Sequence, residues 1–310
     1  MLKGRFDVNP EPVTLQCSDG VTLIGHFWAH KGSHNPGIVV VNSATGVRAE
    51  YYHRYACFLT EWGFDVLTYD YRGIGLSRPW QLRRCGFRWR DWGERDCDAA
   101  LRWAKSRCVD APIFVVGHSF GGVLPGLAES GSSITRMLTV GAQYAYWRDY
   151  QLGRRLQLFF KWHLVMPAVT ALWGYFPGES FGWLEDLPAG VANEWSFQRS
   201  RFELTFPLGE RDKVLRRFGN VTAPILAIAV SDDELGTPAA VRRTLAYYRS
   251  SPNEQVLLSP SDFGEEATGH FGLFHSRHAS GFWIDSVLWL RDGINPWPRR
   301  RTEGTEKQLN

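Results

Sequence analysis

The feature that most constrains this 310-residue chain is a short apolar run ending in a glycine-flanked serine: Ile113-Phe114-Val115-Val116, then Gly117-His118-Ser119-Phe120-Gly121-Gly122. Consecutive apolar residues of this kind suit a strand buried on both faces, the mark of a parallel sheet. A G-x-S-x-G string at the end of such a strand predicts a sharp strand-to-helix turn with Ser119 exposed at its apex. Side chains at Gly117 and Gly121 would obstruct that turn, and the N–H groups of the following helix start would face developing negative charge. The plain alternative is a glycine-rich turn with no chemistry.

The rest of the chain agrees with a sheet of this kind. Val13–Gln16 and Thr22–Ala29, around Ser18-Asp19-Gly20, read as an antiparallel hairpin. Buried strands are expected at Gly37–Val41, Phe64–Tyr69, Met137–Ala142 and Ile225–Val230, with a weaker one at Gln255–Leu258. Helical periodicity covers Tyr51–Trp62, Trp92–Ser106, Ala239–Tyr248 and Ser280–Arg291. Strands alternating with helices predict an α/β fold, a mostly parallel, doubly wound sheet with helices on both faces.

A serine needs a base to take its proton, and the base needs an orienting carboxylate. Val230-Ser231-Asp232-Asp233-Glu234 places carboxylates just past a buried strand, where open α/β sheets put functional groups. Gly269-His270-Phe271-Gly272 supplies a histidine in a glycine-flanked loop. The order Ser119, Asp233, His270 is the one expected for a serine on this type of sheet. Asp233 is the preferred acid and Asp232 the alternative, the bland reading of either being a helix cap ahead of Pro238. Phe120 and Ala44 are the candidate oxyanion-hole donors, one N–H following the nucleophile and one from the loop after an early strand.

Composition excludes several other classes. A formal net charge of +3, with no dense basic face, argues against nucleic acid as a partner. No His/Cys/Asp/Glu cluster has metal-ligand spacing, so neither metal nor cofactor is expected. The Gly-x-Gly of Gly73-Ile74-Gly75 lacks the third glycine of a dinucleotide fingerprint. Five cysteines without C-x-x-C spacing fit reduced thiols, and Met1–Pro10 lacks an apolar core of a secretion signal, so a cytoplasmic location is expected. Lys161, His163 and Pro167 interrupt the apolar Leu156–Trp173 stretch, which predicts an amphipathic helix rather than stable membrane insertion.

Taken together, Val41–Gly46, Asp70-Tyr71-Arg72-Gly73-Ile74-Gly75-Leu76-Ser77, Gly117–Gly122, Ser231–Glu234 and Gly269–Gly272 resemble the α/β-hydrolase superfamily. The branch they resemble is that of serine aminopeptidase and lysophospholipase-like predicted hydrolases. The resemblance spans most of residues 15–292 and implies the α/β-hydrolase fold with a helical cap. It divides the chain into core at 1–146, cap at 147–215, core at 216–295 and a flexible tail at 296–310. Two departures stand out: Asn42-Ser43 replaces the usual His-Gly of the oxyanion loop, and Pro125 falls inside the helix expected after Ser119.

The resemblance implies a serine hydrolase, esterase- or thioesterase-like, cleaving an ester, thioester or amide through an acyl-enzyme on Ser119. The aromatic insertion, with Trp147, Phe159, Phe160, Trp162, Trp173, Trp183 and Trp195, fits a small-molecule substrate with a hydrophobic acyl group, or simply a helical core. An acyltransferase using the same three residues and a non-catalytic ligand-binding protein are the competing readings.

Overall fold

The computed structural model describes residues 9–32, 35–107 and 109–298. His34, Cys108 and residues 299–310 of the expected tail lie outside them. In chain order the main elements are strands β1 (Glu11–Gln16), β2 (Thr22–Trp28) and β3 (Ile38–Asn42), helix α1 (His53–Glu61) and strand β4 (Asp65–Tyr69). Helix α2 (Asp98–Arg107), β5 (Ile113–His118) and β6 (Ile134–Val140) follow. Next come α3 (Arg155–Phe159), α4 (Met166–Trp173), the two-residue strands β7 (Tyr175–Phe176) and β8 (Leu187–Pro188), α5 (Ala189–Ser196) and α6 (Arg211–Asn220). The chain closes with β9 (Ile225–Val230), α7 (Pro238–Leu245), β10 (Asn253–Leu258) and α8 (Phe282–Asp292).

Eight strands form one sheet in the order β1-β2-β4-β3-β5-β6-β9-β10. β1 pairs antiparallel with β2, and β2 with β4; every other pairing is parallel. The mostly parallel sheet expected from the sequence is therefore present. Every residue of β3, β4, β5 and β9 is buried, as their mostly apolar sequences require when helices cover both faces. Two apolar clusters sandwich the sheet, one gathered around Trp89, Trp92 and Phe120, the other around Tyr55, Phe274 and Trp283.

Local details differ from expectation for identifiable reasons. The helix expected after Ser119 is replaced by two single 3₁₀ turns, Ser119–Gly122 and Leu124–Gly126. Pro125 removes an N–H and Gly121, Gly122 and Gly126 favour coil, so no α-helix propagates. β6 starts three residues earlier than the sequence suggests and stops at Val140, because Gly141 turns left-handed with φ 56°. The Leu156–Trp173 stretch is helical almost throughout, α3 passing through a π-helical turn at Phe160–Val165 into α4. No helix among the described residues is long and apolar enough to cross a membrane.

Candidate active site

β5 delivers Ser119 from the centre of the sheet. Its φ of 55° is left-handed, a costly conformation for a residue with a Cβ. Close packing holds that turn. A Cβ on Gly117 would lie 2.6 Å from Gly122 Cα, and one on Gly121 would lie 2.3 Å from Asn42 O. Those two positions accept only glycine, which is why the motif brackets the serine as it does.

Asp233 follows β9, and His270 lies in the loop between β10 and α8. His270 Nδ1 and Asp233 Oδ2 are 2.7 Å apart. Leu235 N and Gly236 N donate to Asp233 Oδ1 at 2.8 and 2.7 Å. Burial, the largest influence on this carboxyl, pushes its pKa up; the charge and hydrogen bond of His270 and the two N–H groups outweigh it and hold the pKa below the usual value. Asp232, the alternative acid, accepts instead from Thr268 N at 2.9 Å and Gly269 N at 3.0 Å, tying down the loop that carries His270. The two neighbouring aspartates thus separate cleanly, one on the imidazole and one on the backbone beside it.

The expected oxyanion donors fare differently. Phe120 opens the 3₁₀ turn after Ser119 and stacks on Trp89, ring centroids 3.6 Å apart. Ala44 N–H is engaged elsewhere and donates to Tyr52 Oη at 2.9 Å. Tyr52 Oη is in turn 2.7 Å from His118 Nδ1, and His118 Nε2 is 2.8 Å from the His270 carbonyl oxygen. That carbonyl can only accept, so Nε2 carries the proton and Nδ1 accepts from the Tyr52 hydroxyl. Every polar atom of this buried chain is satisfied with one assignment. It links the Ala44 loop and the His270 loop through the strand bearing Ser119.

Neither His118 nor Tyr52 is among the site residues expected from the sequence. Burial first, and His270 second, hold the His118 pKa down at about 3. An unfolded histidine titrates near 6.5, so below that pH the unfolded chain binds a proton that the folded chain refuses. The stability His118 contributes is complete above pH 6.5 and is lost as pH falls from there towards 3. We expect His118→Gln to flatten the fall in unfolding free energy, measured by urea denaturation, between pH 6.5 and 5 by up to about 1.4 kcal/mol per pH unit relative to the parent. Equal slopes in parent and variant would show that His118 does not titrate in this way.

Gln143, three residues past β6, is the other residue missed. Its Oε1 accepts from Ala145 N, which sits at a left-handed φ of 60°. That bond fixes which end of the amide faces the site, and Nε2 donates to Ser119 Oγ at 3.2 Å. A glutamine in a loop after an apolar strand carries no signal of this kind in the sequence.

A cavity of about 380 Å³ opens onto Ser119, Gln143 and His270. The insertion between β6 and β9 supplies much of its wall through Leu158, Lys161, Trp162, Trp183 and Trp195. Trp195 stacks on Trp89 at 5.7 Å and on Trp162 at 4.8 Å, so an aromatic column runs from Phe120 into the insertion. Among the described residues no group of three or more His, Cys, Asp or Glu side chains could hold a metal ion.

The model of the alpha/beta hydrolase family matches residues 38–281. The chain belongs to that family. Among solved structures, this α/β hydrolase is similar to a Pyrococcus furiosus esterase, with 18% identity, 92% of each chain covered and a TM-score of 0.61. It is similar as well to a soluble variant of monoglyceride lipase from Saccharomyces cerevisiae, with 14% identity, 93% of this chain and 97% of that one covered, and a TM-score of 0.64. A hypothetical protein from Pseudomonas aeruginosa matches with 14% identity, 94% and 95% coverage and a TM-score of 0.59. At such identities these likenesses speak to the fold.

Proposed function

We propose that this α/β hydrolase is a serine hydrolase that cleaves an ester, thioester or amide through an acyl-enzyme on Ser119. One observation carries the reading: His270, 2.7 Å from the buried Asp233, lines a cavity together with a serine held at a left-handed φ. In this mechanism Ser119 Oγ attacks the carbonyl carbon and its proton passes to His270 Nε2. Asp233 holds the Nδ1–H and offsets the imidazolium charge. The proton then goes to the leaving group, and a water activated by the same histidine releases the acid. Phe120 N–H is the oxyanion donor this reading retains. The segment at 147–215 acts as a cap, its aromatic wall accepting the hydrophobic part of the substrate.

Ser119 Oγ accepts a hydrogen bond from Gln143 Nε2 at 3.2 Å, which draws on the lone pairs that would attack the carbonyl. Gln143 therefore restrains the nucleophile, and attack begins by breaking a bond worth about 0.5–1.5 kcal/mol. Gln143→Leu is expected to speed reaction with a small fluorophosphonate by about 2- to 10-fold, in line with that range. Its Ala145 N–H loses a partner, so some loss of thermal stability accompanies the gain. Slower labelling of folded Gln143→Leu protein would show that the amide assists the serine.

The test of the function itself is intact-protein mass spectrometry after fluorophosphonate treatment. A single adduct, absent in Ser119→Ala and slow to form in His270→Ala, supports the proposal and justifies a screen of p-nitrophenyl esters by chain length. No adduct on the folded parent would favour a ligand-binding protein on this scaffold.

A further inference from the structure

The cavity wall contains four ionisable side chains, Lys161, Asp232, Glu234 and His270. Three have partners that answer their charge or fill their hydrogen-bonding capacity. Asp232 accepts from Thr268 N and Gly269 N, Glu234 Oε1 pairs with Arg154 Nη1 at 2.7 Å, and His270 pairs with Asp233. Lys161 is different. It makes no ion pair within 4.0 Å among the described residues, and its ammonium lies 4.0 Å from the Trp183 ring centroid and 4.3 Å from that of Trp162.

The surroundings of Lys161 hold it in place for a ligand rather than for the fold. It sits in the π-helical turn between α3 and α4, where the backbone is looser than in a regular helix. Two indole faces fix its direction by cation–π attraction, which supplies no counter-charge. Burial lowers its pKa and the more distant Glu234 opposes that, so the charge is partly stripped of water but not neutralised. A half-desolvated cation of this kind gains most from an anion delivered by the substrate, because water already solvates it poorly.

We propose that Lys161 recognises an anionic group, a carboxylate or a phosphate, carried by the substrate away from its scissile carbonyl. The substrate class is then an amphiphilic acyl compound: an apolar middle against Trp162, Trp183, Trp195 and Leu158, a carbonyl at Ser119 and an anionic end at Lys161. This rests on the serine-hydrolase reading for the position of the carbonyl, but the binding preference does not require turnover.

Calorimetry on Ser119→Ala protein therefore tests it. The probes are monomethyl suberate, its neutral counterpart dimethyl suberate, and a methyl ester of the same length ending in phosphate. The anionic esters are expected to bind about tenfold or more tightly than the neutral one, an advantage that falls as salt is raised. Whichever of carboxylate and phosphate binds more tightly identifies the source of the charge. Lys161→Met, which keeps the length and apolar stem, should erase the difference, and Lys161→Arg should retain it. Equal binding of charged and neutral esters to the Ser119→Ala protein would overturn the proposal, as would a preference that survives in folded Lys161→Met. If the parent forms no fluorophosphonate adduct while the anionic preference stands, the serine reading fails and the Lys161 site remains.

Discussion

Ser119→Ala and His270→Ala are each expected to lower kcat for the best ester substrate by about 10⁶-fold, and the double variant by no more than either single one. In the proposed mechanism the two groups perform one event. Oγ has no power to attack unless its proton leaves, and Nε2 has nothing to accept unless Oγ is there. Asp233→Asn should cost less, about 10⁴-fold, because it leaves both reacting atoms in place. What it removes is the acceptor that fixes Nδ1–H at 2.7 Å and offsets positive charge on the ring. Asp232→Asn is the informative contrast. Its carboxylate touches Thr268 N and Gly269 N but not the imidazole, so the variant should lose loop order rather than the proton path. Steady-state kinetics on the four single variants and the double variant, with circular dichroism to confirm folding, checks the set. Additive losses in the Ser119/His270 double variant, or a greater loss from Asp232→Asn than from Asp233→Asn, would contradict these roles.

How much of this was legible beforehand depends on how far apart in the chain the cause and its effect lie. β3, β4, β5 and β9 could be read directly, since burial on both faces favours short runs dominated by apolar and β-branched residues. Ser119, Asp233 and His270 could be placed because each sits in a local pattern: a glycine-bracketed turn, a strand end and a glycine-flanked loop. The Tyr52–His118–His270 chain could not. Tyr52 and His118 are 66 positions apart and His118 meets a backbone carbonyl 152 positions away, so no local pattern encodes either contact. Ala44 shows the same limit from the other side. Its place in the loop was right for a donor, but a tyrosine from the following 3₁₀ turn takes its N–H. Between Val140 and Ile225 the helical run at Leu156–Trp173 was expected, but α5 and α6 are 8 and 10 residues long and β7 and β8 only two each, so periodicity there had little length in which to emerge.

Asp96→Ala is expected to lower the free energy of unfolding by about 3–5 kcal/mol without touching the active-site cavity. Arg72, in the Asp70–Ser77 segment that carries part of the family resemblance, is fully buried, and Asp96 is buried beside it. Arg72 Nε donates to Asp96 Oδ1 at 2.6 Å, and Arg72 N donates to Asp96 Oδ2 at 2.9 Å. The outer face of the guanidinium meets the partly exposed Asp19, through Nη1 at 2.7 Å and Nη2 at 3.2 Å. Removing Asp96 therefore leaves a backbone N–H and the Nε–H without acceptors in a region closed to water, while Asp19 still holds the outer edge. Arg95, which reaches Asp19 from the surface at 2.6 Å with about a third of its side chain exposed, provides the control. Solvent screens that pair, so Arg95→Ala should cost less than about 1 kcal/mol. The double variant Arg72→Met/Asp96→Leu should regain part of the loss, because it removes the guanidinium with its unpaired Nε–H and fills the space with apolar atoms, while the backbone N–H of residue 72 stays without its acceptor. Urea denaturation of the three variants measures these differences. A cost below 1 kcal/mol for Asp96→Ala would mean that water reaches Arg72. A large cost with unchanged fluorophosphonate reactivity per folded molecule would show that this ion pair holds the fold independently of the chemistry at Ser119.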